Sequence, residues 1–329
     1  MSAVPPEITI LRTLTAAGEG FVSGTTLAET LGMSRVAVWQ HMEKLREQGF
    51  TFEAVRSRGY RMTAHPEHLN QTLISARLTD GIDCRLIVLD SIDSTNDEAL
   101  RRLSQGETSP LAVIAREQTK GRGRLGRQWL SEPNGNLYIS FAFRPNVPPD
   151  RVSTITPWIG ANLCGLIASY CRISPQIKWP NDLLMNGRKI GGILTEARID
   201  ADRIRDLVVG CGLNLRPPTQ GWPAELAPLA TSLAEATPAP IDVNHFAAAL
   251  IGRIQSAYSK FQDDNYRNQL ADLWIAHDAL KGREITLLHG KSEVTGTAIG
   301  IDDEGSLLLR IPSGGTRRFR AGEVTIAKR

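Results

Sequence analysis

Residues 120–129 read Lys-Gly-Arg-Gly-Arg-Leu-Gly-Arg-Gln-Trp and lie between two apolar runs, Leu111–Glu117 and Leu137–Phe143. The apolar runs predict buried strands. Between them, eight residues hold four cations and three glycines. Glycine lets the backbone approach a ligand closely, and arginine offers forked donors to phosphate or carboxylate. The pattern predicts an anion-binding loop, but these residues alone also allow a solvated basic turn or a Gly/Arg-rich RNA-binding stretch.

Strands and helices continue on both sides of this loop. Further strands are predicted at Arg85–Leu89, Gln176–Trp179, Lys189–Ala197 and Leu207–Leu215. Helices are predicted at Thr95–Leu103, Pro157–Tyr170 and Asn244–Phe261. Because helices do not separate the strands regularly, we expect a mixed α/β sheet rather than a doubly wound one. The Pro- and Gly-rich stretch between Leu215 and Ala230 predicts a loop that is either functional or disordered.

The first 65 residues predict a winged helix-turn-helix. Ile8, Leu11 and Leu14 recur at helical spacing. Ser23 and Ser34 are placed to cap a second and a third helix. The stretch from Phe50 to Met62 predicts a hairpin, with its turn at residues 56–59.

The end of the chain changes character from about Asp278, where short β-rich runs are separated by turn residues. This spacing predicts a small barrel of five or six strands. A polar connector is expected at Ala64–Gln71. A length of 329 residues suggests two or three domains. We therefore expect a multidomain α/β (α+β) fold with domains at residues 1–65, 70–275 and 278–329.

Composition limits the class of protein. The net charge of +3 is too small to indicate nucleic-acid binding by itself. No basic segment leads into an apolar run at the N-terminus, so no signal peptide is predicted. The most apolar helix candidate, Trp158–Cys171, is shorter than the roughly 20 residues of a membrane span. Four scattered cysteines are typical of reduced thiols in a cytoplasmic protein.

Five segments along the chain, in this order, resemble the biotin protein ligases of the biotin operon repressor type, and the resemblance covers essentially the whole sequence. They are Asp93-Ser94-Thr95-Asn96; Gln118 with the Gly121–Arg127 loop and Trp129; Lys178-Trp179-Pro180-Asn181-Asp182; Arg188–Leu194 with Glu196; and Gly210-Cys211-Gly212-Leu213-Asn214. Each segment is a weak signal alone, but the five in order are specific.

The resemblance implies a central mixed-sheet domain like that of class II synthetases and an SH3-like C-terminal β-barrel. The implied enzyme uses ATP and Mg²⁺ to activate biotin to biotinyl-5'-AMP. It then passes biotin to a lysine of the biotin carboxyl carrier protein. The implied regulator is a homodimer that forms when biotinyl-AMP is bound. It binds the operator DNA of biotin genes and represses these genes.

The resemblance also implies the site residues. Lys189, Arg122 and Arg124 are expected to be catalytic. Biotin is expected to contact Ser94, Thr95, Asn96, Gln118, Arg122, Gly123, Arg124, Trp129, Lys189, Gly191 and Gly192. ATP and the adenylate are expected to contact Arg124, Arg127, Asn181, Asp182, Lys189, Asn214 and Trp222, with Asp182 as a ligand of Mg²⁺.

These residue types suit the implied chemistry. A carboxylate must meet a triphosphate, which calls for preorganised cations rather than a base. On local pattern alone, however, Lys189 could be a surface lysine and Ser94 an ordinary helix cap. In the same way, Trp129 could be a core side chain, and Asn181 with Asp182 part of a simple turn.

For DNA, Ser34, Arg35, Gln40 and His41 begin the predicted recognition helix, and Arg56 and Arg58 lie on the predicted wing. The N-terminal segment holds seven cations against six carboxylates, so it is not strongly basic. A winged helix that only packs or dimerises is the alternative.

Two other functions compete with a ligase that also represses. One is a biotin-sensing transcription factor without transfer activity, which the set Arg122, Arg124 and Lys189 argues against. The other is a lipoate or octanoate ligase, which the polar group of Ser94, Thr95, Asn96 and Gln118 disfavours.

Overall fold

The structure is a computed structural model that describes residues 4–133, 135–237, 239–290 and 292–326. Its contacts divide the chain into two units. The first runs to Gly81 and includes Asp242–Ala248, and the second comprises Ile82–Ile241 and the residues from Ala249 onward. Two short ends lie outside the described residues. They are residues 1–3, which begin the N-terminal segment where no signal peptide is predicted, and residues 327–329, which end the third predicted domain.

The first unit contains a winged helix-turn-helix, as predicted. Its elements are α1 (Pro6–Ala16), α2 (Gly24–Leu31), α3 (Arg35–Glu47), β1 (Thr51–Val55), β2 (Gly59–Ala64) and α4 (Gln71–Arg77). The side chain of Ser23 accepts from the N–H of Thr26, and that of Ser34 accepts from the N–H of Ala37, so both predicted caps are confirmed. The core includes Leu11, Leu27 and Met42.

A seven-stranded sheet forms the centre of the second unit. Its strands are β3 (Arg85–Ile92), β4 (Leu111–Gln118), β5 (Leu137–Phe143), β6 (Gln176–Lys178), β7 (Asp182–Met185), β8 (Arg188–Asp200) and β9 (Arg203–Leu213). The order is β3-β4-β5-β9-β8-β7-β6. Strands β3 and β4 are parallel and the other neighbours are antiparallel, which confirms the predicted mixed sheet.

The helices of the chain after α4 are α5 (Thr95–Ser104), α6 (Val152–Cys171), α7 (Leu233–Ala236), α8 (Val243–Gln262) and α9 (Arg267–Ile275). The three predicted helices are present as α5, α6 and α8. Helix α6 begins five residues before the predicted start at Pro157, because the chain tolerates this proline inside the helix. Strand β7 and helices α4, α7 and α9 were not predicted.

Helix α6 is longer than the sequence indicated. With the turn before it, Pro149–Cys171 is long and apolar enough to cross a membrane by length and composition. Of the most apolar 18-residue stretch of this helix, 67% is buried inside the structure. Trp158 and Ile159 are fully buried there. This burial is typical of the core helix of a folded domain.

The C-terminal part of the second unit is an antiparallel sheet. Its strands are β10 (Glu284–His289), β11 (Ser292–Ile301), β12 (Leu307–Arg310), β13 (Thr316–Phe319) and β14 (Glu323–Ile326). They are ordered β13-β12-β11-β10-β14, and this count of five agrees with the predicted five or six. All four cysteines are free, and Cys164, Cys171 and Cys211 are buried, as expected for reduced thiols.

Candidate functional site

The glycine-arginine loop, residues 120–129, connects β4 to β5 and closes on itself. The N–H of Gly123 donates to the carbonyl of Arg127 (2.7 Å), and the N–H of Trp129 donates to that of Gly121 (2.9 Å). A Cβ on Gly121 would lie 2.5 Å from both Ser131 Oγ and the Trp129 carbonyl, so the loop needs glycine there. The fold of the loop turns its arginines toward a cavity.

That cavity, of about 160 Å³, collects residues from all five sequence segments. Among the predicted biotin and catalytic residues, its lining includes Ser94, Thr95, Asn96, Gln118, Arg122, Gly123, Arg124, Trp129, Lys189 and Gly192. Gly191 is not among the lining residues, because it points to the other face of β8, toward Leu213. Asn181, Asp182 and Arg127 also line the cavity.

One end of this cavity is polar and uncharged. Ser94, Thr95 and Asn96 lie at the start of α5 and are all nearly fully buried. Thr95 donates to Gln118 Oε1 from both its N–H (2.8 Å) and its hydroxyl (2.9 Å). Gln118 Nε2 donates to Ser131 Oγ (3.0 Å). The group therefore offers amide and hydroxyl contacts to a neutral polar ligand.

Two glycines of β9 make room for this end of the site. A Cβ on Gly210 would collide with Asn96 Oδ1. A Cβ on Gly212 would lie 2.6 Å from the Trp129 ring. Because alternate residues of a strand face the same side, both positions open the sheet toward the cavity. The absence of side chains at these two positions gives the cavity its depth.

Cations gather at the other end. Lys189 Nζ lies 2.5 Å from Asp182 Oδ1 and 5.3 Å from the centre of the Trp129 ring. Arg124 donates to Asn181 Oδ1 (3.1 Å) and to the carbonyl of Gly322 (3.4 Å). These contacts hold the cations in place before a ligand arrives.

Burial leaves two of the cations poorly hydrated. Burial lowers the pKa of Lys178 and of Arg124 from their ordinary values, and the nearby Asp182 opposes this in both cases. A nearby anion stabilises the charged form of a cation that burial has deprived of water. This end of the site is therefore suited to an anionic ligand.

A second cavity of about 550 Å³ adjoins the first and shares Arg127, Trp129, Lys178, Asp182 and Lys189 with it. Its other lining includes the predicted nucleotide residues Asn214 and Trp222, together with Leu226, Leu229 and Ala230. The last three belong to the Pro- and Gly-rich loop. Its end pairs with β8, because the N–H of Lys189 donates to the Leu229 carbonyl (2.7 Å).

A metal ion would find little protein coordination here. In the part of the chain that the structure describes, no group of three or more His, Cys, Asp or Glu residues could hold a metal. Asp182 is paired with Lys189, and Asn181 Oδ1 faces Arg124. Magnesium keeps several waters and is usually bound through one or two carboxylates plus substrate phosphates. The residues fit an ion that arrives with a triphosphate and takes Asp182 as its protein ligand.

The predicted DNA residues lie on the first unit. Arg35, Gln40 and Arg56 are exposed, and Ser34 caps α3. Arg58 stacks over the ring of Phe21 at 4.2 Å. His41 is turned inward, with Nδ1 2.9 Å from Glu7 Oε1, so its contact lies within the domain.

Several residues that line the two cavities or the exposed face of α3 were not predicted from the sequence. Lys178 and Tyr138 line both cavities, and Glu323 reaches the first from β14 and pairs with Arg127. Lys178 stands in a recognised segment and could have been found; Glu323 has no local signal. On α3, Val36 and Trp39 are exposed beside Arg35, at a spacing that puts them on one helical face.

Comparison with known proteins agrees with this geometry. Residues 7–61 match a family model described as an HTH domain, and residues 88–214 match the Biotin/lipoate A/B protein ligase family. Residues 281–326 match the Biotin protein ligase C terminal domain. The three models follow the order of the elements along the chain.

Relatives match over nearly the full length. The bifunctional ligase/repressor BirA of Bacillus subtilis is 34% identical over 309 residues, covering 93% of this chain and 94% of that protein. The one of Escherichia coli is 33% identical over 320 residues, covering 95% of each. The structure of a biotin protein ligase from Aquifex aeolicus in complex with biotin and ATP covers 74% of this chain, with 28% identity and a TM-score of 0.61.

Proposed function

Since this chain belongs to the biotin protein ligase family, we propose that it activates biotin with ATP and transfers it to a lysine of a biotin carboxyl carrier protein. One observation carries the proposal. The two adjoining cavities meet at Lys189, Asp182 and Trp129, so the cationic end of the first cavity, opposite its neutral polar end, opens toward the second cavity, where the predicted nucleotide residues lie. Biotin has a neutral ureido ring at one end and a carboxylate at the other, which matches that division.

In the first step, a carboxylate oxygen of biotin attacks the α-phosphorus of ATP. The bond from the α-phosphorus to the bridging oxygen breaks, and pyrophosphate leaves with the electron pair. The two reacting groups are both anions and repel each other. Positive charges that the protein holds in fixed positions reduce this repulsion. Lys189 and Arg124 supply that charge, and Asn214, Trp222 and Arg127 hold the nucleotide. Arg122, also expected to be catalytic, is paired with Asp97 (2.7 Å) and Glu196 (3.0 Å) beside the polar end of the cavity.

The polar pocket orients the other end of biotin. A ureido ring has one carbonyl acceptor and two N–H donors. Ser94, Thr95, Asn96 and Gln118 offer uncharged partners to both, while Trp129 and the small residues Gly123 and Gly192 pack against the apolar part. Gly191 lies behind the pocket, where the lack of a side chain keeps β8 close to β9.

Magnesium, when bound with the nucleotide, would reduce the charge of the departing pyrophosphate, with Asp182 as its protein ligand. If the carboxylate of Asp182 held that ion, the ammonium of Lys189 would be free to contact the reacting anions. The chain's part in this step is to keep the cation and the carboxylate side by side.

In the second step, the carrier lysine amine attacks the biotinyl carbonyl, the bond to the AMP oxygen breaks, and the amine loses a proton. The mixed anhydride hydrolyses in water, so it must stay covered until the carrier arrives. The glycine-arginine loop and the Pro- and Gly-rich loop cover the junction.

Radiolabelled biotin, ATP and a carrier domain test the whole reaction. Label on the carrier supports it. Pyrophosphate release without label on the carrier would instead indicate a biotin sensor that does not transfer. Activity with lipoate or octanoate but not biotin would indicate the related ligase.

We further propose that the first unit binds operator DNA of biotin genes and that the adenylate-bound protein, as a homodimer, acts as a repressor in the cytoplasm. The exposed Arg35 and Gln40 on α3 support this. The three-domain division at residues 1–65, 70–275 and 278–329 belongs to the same proposal. Mobility shift of the upstream regions of biotin genes, with and without biotin plus ATP, tests it; no shift under either condition leaves a structural domain.

A further inference from the structure

Glu196 lies behind the polar end of the first cavity. It belongs to β8, and it is not among the described lining residues, whereas Asn96 and Arg122 are. Its Oε2 accepts from Asn96 Nδ2 (2.7 Å) and from Arg122 Nη2 (3.0 Å). One oxygen thus joins a residue of the polar pocket to a residue of the glycine-arginine loop.

The chemistry of that oxygen fixes how the Asn96 amide is turned. A carboxylate oxygen can only accept hydrogen bonds, and this one already accepts an N–H of Arg122. The side of the Asn96 amide that faces it must therefore be the nitrogen rather than the oxygen. The second hydrogen of Asn96 Nδ2 points to the carbonyl of Leu194 (3.3 Å). Both amide hydrogens are therefore used inside the protein.

The opposite side of the amide meets a buried hydroxyl. Ser140, fully buried in an otherwise apolar strand, donates to Asn96 Oδ1 (2.6 Å). Thr95 in turn donates its hydroxyl proton to Gln118 Oε1. With these protons committed, Asn96 and Thr95 can offer a ligand only acceptor lone pairs.

We propose that Glu196 is a positioning residue: through Asn96 it makes the polar pocket an acceptor for ligand N–H groups. The inference rests on the proposed function, because the ligand with such N–H groups is the ureido ring of biotin. A lipoyl or octanoyl group, which has no N–H, would make no such hydrogen bond at this end. Without the carboxylate, the Asn96 amide can turn, and a pocket with donors facing N–H groups would repel the ring.

The test compares biotin affinity in four full-length proteins: the parent, Glu196→Ala, Asn96→Ala and the double variant. Equilibrium dialysis with radiolabelled biotin, without ATP, gives each Kd. Glu196→Ala is expected to raise the Kd about tenfold in the parent, as for loss of one charge-assisted hydrogen bond. In the Asn96→Ala background the same change is expected to alter it less than twofold, because the residue through which Glu196 acts is gone.

Two further readouts separate positioning from general loosening. The KM for biotin in pyrophosphate release is expected to rise with the Kd, while the KM for ATP stays within about twofold. Glu196→Gln, which keeps an acceptor oxygen, is expected to recover part of the affinity. If Glu196→Ala does not fold, Glu196→Gln in both backgrounds gives the same cycle with a smaller effect.

Glu107 offers a matched control. It is a similarly half-buried carboxylate that pairs with two arginines, Arg85 (2.9 Å) and Arg102 (3.5 Å). Glu107→Ala is expected to leave the Kd unchanged. An unchanged Kd in Glu196→Ala, or an equal loss in both backgrounds, overturns the inference. Failure of the parent to retain biotin is a different result and overturns the proposed function instead.

Discussion

Lys189 Nζ and Asp182 Oδ1 are 2.5 Å apart, on the neighbouring strands β8 and β7. The pair stands at the junction of the two cavities. An ammonium held by a carboxylate is positioned without being neutralised, and it can be released to stronger anions. Each residue of the pair gives one prediction.

Replacing Lys189 removes the cation from the junction. We expect Lys189→Ala to lower adenylate formation at least about 100-fold, as for loss of a charge that stabilises a transition state. Biotin binding should persist in part, since the polar end is intact. Pyrophosphate release and equilibrium dialysis measure the two effects. Lys260→Ala, at an exposed lysine bonded to Gln269 (2.9 Å), is the control. Adenylate formation at the parental rate would remove Lys189 from this role.

Replacing Asp182 keeps the shape of the junction and removes its negative charge. We expect Asp182→Asn to require several-fold more Mg²⁺ for half-maximal pyrophosphate release, because magnesium would lose its protein carboxylate. The biotin Kd measured without nucleotide should not change. A magnesium titration at saturating biotin and ATP is the measurement. An unaltered magnesium requirement contradicts the assignment of Asp182.

The contacts of Arg124 with Asn181 and Gly322 hold the glycine-arginine loop over the cavity. We expect Arg124→Gly to release the adenylate at least about tenfold faster, because the loop loses its charged contact to the bound acid and gains freedom. The rate is measured by chasing preformed radiolabelled adenylate with unlabelled biotin. Release at the parental rate would show that another segment covers the site.

A methyl group at position 212 would meet the Trp129 ring. We expect Gly212→Ala to raise the Kd for biotin about tenfold or more, since the tryptophan must move into the cavity. Gly165→Ala is the matched control, because a Cβ there meets nothing within 4 Å and the residue lies in α6. If both variants bind biotin equally well, Trp129 does not form a wall of the pocket.

On the DNA-binding unit, Arg35 and His41 should behave differently. Arg35 is exposed at the start of α3, whereas His41 is bonded to Glu7. We expect Arg35→Ala to weaken operator binding about tenfold or more with an unchanged melting temperature. His41→Ala should act mainly by lowering that temperature. Mobility shift and thermal unfolding separate the two. The opposite pattern would place His41 rather than Arg35 at the bases.

Much of the fold follows from local pattern. The strands on either side of the glycine-arginine loop are long and apolar, and α2 and α3 each begin at a serine whose side-chain oxygen accepts a backbone N–H. Strand β7 has only four residues, too few for a period to show, and α9 lacks a cap side chain. Such elements form because neighbouring strands and helices bury them.

Most of the site residues could be predicted from the sequence for a related reason. Short motifs at strand ends and at the start of α5 need no distant information to be recognised. Ser140, Glu196 and Glu323 differ, because each acts on a residue far away in the sequence. The place of Glu196 in a recognised segment was one local sign. A serine inside the apolar run of β5 was another, since a buried hydroxyl needs a partner. The partner itself could not be read from the sequence.

The paired glycines at 210 and 212 also bear on protein engineering. A strand glycine is an obvious target for a stability design, because glycine weakens a strand. In β9 such a design would strengthen the sheet and fill the space that Asn96 and Trp129 now occupy. A more heat-resistant version of this chain should therefore be sought in its helices and surface loops, with this strand kept as it is.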